Sequence, residues 1–108
     1  MAQSITVRAL SMIGMCKKAG RLISGVPLVC DAVREGRAYL TLYASGASVN
    51  SVKRITDKCA SYDAKIAAID VTPEELGKAI GKVGAVAAVC TTDRGFAEAI
   101  LKILNSNI

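Results

Sequence analysis

Apolar residues recur along this chain with two alternating periods, and the alternation sets the elements. Ile5, Ala9, Met12, Ile13 and Cys16 fall at i, i+4, i+7, i+8 and i+11, one stripe of an amphipathic helix. Ser4 stands where an N-cap belongs and Gly20 where a helix ends. Residues 21–24 read as a brief strand, after which Val26, Val29, Cys30 and Val33 repeat the helical stripe up to Gly36. Residues 39–44, YLTLYA, form the clearest strand, β-branched and aromatic between turn signals. Ser48 caps a third helix that turns Val52, Ile55 and Cys59 inward and Lys53, Arg54 and Lys58 outward, and residues 65–69 are a second short strand. Thr72, Pro73 and Glu75 occupy N-cap, N1 and N3 of a capping box, whose helix points Leu76, Ala79 and Ile80 inward and stops at Gly81. Lys82, Val83, Gly84 and Ala85 make a loop. Residues 86–90, VAAVC, are apolar without a break, the pattern of a strand covered on both faces and therefore central. Asp93 caps a last helix with Phe96, Ile100, Ile103 and Leu104 on its apolar side.

Strict alternation of helix and strand predicts an α/β fold, a small sheet covered by helices on both sides. At 108 residues the chain has room for one core, so a single domain over residues 1–108 is expected. A 52% apolar composition makes that domain globular rather than disordered. No apolar run approaches a membrane span, despite a positive mean hydropathy. The leading segment lacks a basic start, and its apolar residues lie at helical spacing rather than in one block, so a cytoplasmic protein is expected.

Fourteen Lys and Arg against nine Asp and Glu give a net charge of +5, a balance that suits an anionic partner and is shared by small basic domains that have none. Chemistry is harder to place. There is no histidine, and Cys16, Cys30, Cys59 and Cys90 are far apart in apolar surroundings, so they read as buried thiols rather than a metal centre. Gly77 and Gly81 belong to a capped helix and its end, not to a nucleotide-binding turn. Neither a metal, a cofactor, a small-molecule substrate nor catalysis is expected.

The stretch 19–28, AGRLISGVPL, joins two helices through one short strand. Gly25 marks a sharp backbone turn at the start of the second helix, and Pro27 falls in its first turn, where a missing N–H costs nothing. Lys17, Lys18 and Arg21 near free helix N-terminal amides describe an anion site; they equally describe a solvated helix end and an ordinary connection.

Gly20, Arg21 and Gly25 before a helix ending at Gly36, the YLTLYA strand, then ITDKC, ELGKAIG and a VAAV strand resemble one family along almost the whole chain. It is the kink-turn-binding ribosomal protein superfamily, which includes the L-seven-Ae and L-thirty-e proteins. The TDKC, LGKAIGK and TDRGFA segments are most similar to its small bacterial branch, the YlxQ-type RNA-binding proteins. The resemblance implies a three-layer α/β/α sandwich with a small mixed four-stranded sheet. It also implies an RNA partner gripped by two loops at one end: the Gly25 junction with the first turn of helix two, and the loop of Lys82, Val83, Gly84 and Ala85. In the family the glycine admits the RNA backbone, and asparagine, glutamate and lysine of helix two read sheared G·A pairs. Apolar residues of the second loop pack on an extruded base. Such readers act on irregular rather than regular RNA.

Gly20, Arg21 and Gly25 match that pattern, while Pro27 stands at the asparagine position, Leu28 at the glutamate and Asp31 at the lysine. Ser45 and Gly46 replace an acidic pair that often follows the middle strand. Proline and leucine offer no base-edge hydrogen bonds, and Asp31 reverses a charge; each lost contact removes about 1–3 kcal/mol. The fold carries over, and tight binding to a standard kink-turn does not. The expected function is RNA binding by a monomer associated with translation or the ribosome. Lys17, Lys18, Arg21 and Lys82 would meet phosphates, and Val83 a base. The competing reading is a protein-interaction module whose docking patch is Val26, Pro27 and Leu28.

Overall fold

A computed structural model of the chain describes residues 4–106, so the one-domain expectation over 1–108 extends beyond the described residues at both ends. Helices and strands alternate as α1 (Ile5–Lys18), β1 (Leu22–Ser24), α2 (Val26–Arg34), β2 (Leu40–Ala44), α3 (Val49–Ser61), β3 (Ile66–Ile69), α4 (Pro73–Ala79), β4 (Ala88–Thr91) and α5 (Arg94–Leu104). The strands form one sheet in the order β1-β4-β2-β3. β4 runs antiparallel to both neighbours, with Ser24 opposite Val89 and Tyr43 opposite Ala88, while β2 and β3 are parallel, with Ala44 opposite Ile69. The sheet is therefore mixed, and β4, buried at all four residues, lies inside it as its apolar run requires.

Strand alternation sorts side chains onto two faces. Leu40, Leu42, Ala44, Ile69 and Val89 pack with Ile13 of α1, Leu76 of α4 and Ile100 of α5. Ala88 and Cys90 pack on the other side with Val29 and Val33 of α2 and Ile55 and Cys59 of α3. Three layers result, α/β/α.

Local chemistry fixes the helix ends. Ser4, Ser48, Thr72 and Asp93 each accept a hydrogen bond from a first-turn amide, and Thr72 and Glu75 complete the reciprocal capping box. Four helices close with the same left-handed corner, at Gly20, Gly36, Gly81 and, without a glycine, Asp63. The sequence signalled the three glycines and not Asp63.

The edges of the elements differ from expectation in several places, and β1 and β3 each begin one residue later than expected, at Leu22 and Ile66. Ile5 is 39% exposed because the first turn of α1 overhangs the core. β2 begins at Leu40; Tyr39 keeps one ladder bond, its N–H to the Thr91 carbonyl, and is half exposed. β4 begins at Ala88, because the Val86 N–H goes instead to the Pro73 carbonyl, tying the lead-in segment to α4. In α5 the small Ala97 is buried and Phe96 only half so, which turns the apolar face by one residue.

Cys16, Cys30, Cys59 and Cys90 are all buried as free thiols. Burial pushes Cys16 and Cys59 up and Cys90 up to about 12, so none of these three is a thiolate near neutrality. Cys16 also donates to the Arg21 carbonyl at 3.2 Å and the Thr91 hydroxyl at 3.3 Å, pinning the corner between α1 and β1.

Candidate functional site

One end of the sheet collects the C-terminal ends of β1, β2 and β3 and the start of β4. Three backbone bonds hold it together: Gly25 N–H to the Ala88 carbonyl, Ala44 N–H to Ala87 and Ser45 N–H to Ile69, each 2.9 Å. Helices α2, α3 and α4 all begin here, so three positive dipole ends point the same way. α3 and α4 are sealed by the side chains of Ser48, Thr72 and Glu75.

α2 is not sealed. Gly25, its N-cap, has φ 98°, a conformation that a side chain would strain, and it offers no capping atom. The Gly25 amide is taken by Ala88 and Pro27 has none. Among the described residues the amides of Val26 and Leu28 have no acceptor, leaving them as free donors at a helix N-terminus, with no acidic residue in the first turn.

The second loop lies beside this junction because β4 pairs with β1. Gly77 in α4 makes room for it: a Cβ there would run into the Gly84 carbonyl oxygen. Gly84 has φ 106°, and the turn it makes presents Val83 to solvent as fully as in an isolated residue, 106%. Lys82 and Ala85 are exposed beside it, and Leu28, at 59%, and Pro27 are exposed across the junction. Val49, 82% exposed in the first turn of α3, adds a further apolar side chain at this end. Nothing in the sequence singled it out. It stands three residues before Val52 in the same stripe, and only its place beyond the end of the sheet leaves it without a neighbour.

The remaining expected residues are divided. Asp31 lies on the second turn of α2 and pairs with Arg34 at 3.1 Å, both about half exposed, so its negative charge is partly matched from within. Lys17, Lys18, Gly20 and Arg21 sit at the opposite end of β1 from Gly25. The Arg21 carbonyl accepts from Thr92 at the far end of β4, and four extended residues carry the chain roughly 13 Å to Gly25. The basic edge is therefore not beside the free amides, a correction to the reading of residues 17–25 as one anion site. A concavity of about 570 Å³ also lies elsewhere, an open groove between α1 and α4 lined by Leu10, Gly14, Met15, Lys18 and Ile80. Among the described residues no three His, Cys, Asp or Glu side chains converge as metal ligands, and no helix is long and apolar enough to cross a membrane.

The profile of the Ribosomal protein L7Ae/L30e/S12e/Gadd45 family matches residues 8–101. The chain belongs to this family. Two relatives named RNA-binding protein YlxQ are similar throughout: the Bacillus subtilis (strain 168) protein is 35% identical over 87% of this chain and 92% of its own, and the Enterococcus faecium protein 32% identical over 84% and 85%. Among solved structures, a protein of unknown function from Bacillus halodurans C superposes with TM-score 0.83 and 28% identity, covering 92% of this chain and 98% of that one. The Giardia lamblia 15.5kD RNA binding protein superposes with TM-score 0.75 at 13% identity, covering 96% and 88%, a likeness of fold.

Proposed function

We propose that this protein binds a structured, kink-turn-like RNA with the end of the sandwich that carries Gly25 and the loop of Lys82, Val83, Gly84 and Ala85. The observation that carries the reading is the pairing of free α2 amides with a fully exposed Val83 across one strand pair. The amides of Val26 and Leu28 take a phosphate or sugar oxygen, Lys82 adds charge, and Val83 and Leu28 cover an unstacked base. Pro27 and Leu28 have no donors for base edges, and Asp31 is engaged with Arg34, so recognition rests on backbone and shape rather than on side-chain hydrogen bonds. The names of the relatives support an RNA partner. We place the protein in the cytoplasm as a monomer acting in or around translation, without catalysis.

The test is binding of a standard kink-turn RNA beside a regular duplex, each titrated at several salt concentrations. Selective kink-turn binding that survives rising salt supports the reading. Equal, weak and steeply salt-dependent binding to both leaves only a basic surface and overturns it. Leu28 at 59% exposure beside an exposed Pro27 favours one other reading, protein docking at the same patch. Lys82→Glu separates them, weakening RNA binding while sparing an apolar dock.

A further inference from the structure

The opposite end of the sheet carries a cation at or near every strand end. Arg21 precedes β1, Arg37 lies three residues before β2, Lys65 precedes β3 and Arg94 lies three residues after β4. Backbone bonds set them in a row: the Thr92 N–H reaches Arg21, the Tyr39 N–H reaches Thr91 and the Thr41 N–H reaches Lys65. With strands about 4.8 Å apart the row spans about 14 Å. Lys17 and Lys18, in the last turn of α1, extend it on one side. Tyr39, 49% exposed as a residue, stands within it and lines a groove of about 320 Å³ with Lys65 and Arg94.

Four acids share this end. Glu35 pairs with Arg37 at 2.8 Å, Asp93 caps α5 through the Phe96 amide, and Asp63 and Glu98 line the groove. None of them forms an ion pair with Lys17, Lys18, Arg21, Lys65 or Arg94. Lys17 and Lys18 have a structural rationale, since cations are favoured at a helix C-terminus. Arg94 has the reverse: it is the first residue of α5, where the helix dipole disfavours a positive charge. Arg37 is matched by Glu35, but Arg21, Lys65 and Arg94 have no ion-pair partner among the described residues, and one of them is held against a dipole; exposed cations left over in this way fit a partner that brings the negative charge.

We propose that this end is a second nucleic-acid contact, which grips RNA phosphates without reading sequence while Tyr39 offers a ring for stacking. It goes beyond the Gly25 end and stands whether or not that end reads a kink-turn. A protein with both contacts holds two segments of RNA at opposite ends of one sheet.

The test uses fluorescence anisotropy on a regular RNA duplex and a standard kink-turn RNA over a salt series. The triple variant Arg21→Gln, Lys65→Gln, Arg94→Gln removes the contact; Arg8→Gln, Arg54→Gln, Lys102→Gln removes the same charge from helix faces elsewhere. The proposal expects the first variant to weaken both RNAs about tenfold or more and to flatten the slope of log K against log salt by about two to three. The second variant should leave the slope within about one of the unaltered protein. An unchanged slope in the first variant, or an equal change in both, overturns the proposal. Matching circular-dichroism melts verify that all three proteins are folded. Loss of the Gly25 reading has a different signature: kink-turn and duplex bind alike, while the first variant still flattens the slope.

Discussion

The two ends of the sheet are built from the same strands and use opposite physics. Where β1, β2 and β3 finish, Lys82 stands with the acids Asp70, Glu74 and Glu75 rather than in a row of cations, and the end offers unpaired amides on α2 and apolar side chains at Leu28, Val49 and Val83. Where these strands begin, Arg21, Arg37 and Lys65 are joined by Arg94, and α1, α2 and α3 arrive with their C-terminal ends. α2 and α3 start at this end of the sheet and finish at the other, and α4 starts here too, so the alternation of α and β makes this end donor-rich by geometry alone. On the two proposals above, shape and free amides would select an irregular RNA and exposed cations would attract any RNA, so that one fold would separate selectivity from affinity by the length of a three-residue strand.

The strongest way to break the contrast is Gly77→Val. Its side chain meets the Gly84 carbonyl, and overpacking of this kind costs about 1–3 kcal/mol. Urea unfolding should detect that cost, and the displaced loop should lose kink-turn selectivity while duplex binding at the far end persists. Val83→Asp comes next. An exposed residue without neighbours leaves stability within about 0.5 kcal/mol, while affinity for the irregular RNA falls about tenfold and duplex affinity changes far less; a melt and an anisotropy titration read the two. Asp31→Lys sharpens the contrast in the other direction. It breaks a pair with Arg34 that is about half exposed and worth under about 1 kcal/mol, and it puts a cation at the position to which the resemblance assigns a lysine. Kink-turn affinity should rise severalfold, with the melting temperature nearly unchanged.

The smallest effect at working pH belongs to the thiols between the two ends. Burial raises Cys16, Cys59 and Cys90 above their unfolded values, so their contribution to stability is complete below the ordinary thiol range. It is lost as pH climbs from about 9 toward 12, where the unfolded chain ionises first. Thermal melts should be flat from pH 6 to 8 on this account and fall above about pH 9, and a thiol reagent should label the four cysteines only after denaturation.

The caps show why so much of the fold was legible. Ser4, Ser48, Thr72 with Glu75, and Asp93 act within three residues of themselves, so their chemistry is complete in the sequence. The unbroken VAAVC run likewise placed β4 inside the sheet. Asp63 was silent because aspartate can enter the left-handed region but does so far less often than glycine, so its presence does not mark a helix end. The site was legible in part. Gly25 and the loop at Val83 could be placed on one end through the family pattern, but Lys17, Lys18 and Arg21 were set beside Gly25 on sequence proximity. A short extended strand carries the chain away faster than residue counting suggests, and only the pairing of Arg21 with Thr92 and of Gly25 with Ala88 separates them.

The most direct test of the account follows backbone amide signals by nuclear magnetic resonance as a standard kink-turn RNA is added at a salt concentration that suppresses duplex binding. The account predicts large shifts at Val26, Leu28, Val49 and residues 82–85, with little change at Arg21, Tyr39, Lys65 and Arg94. Shifts confined to that second set, or spread evenly over the basic surface, would contradict it.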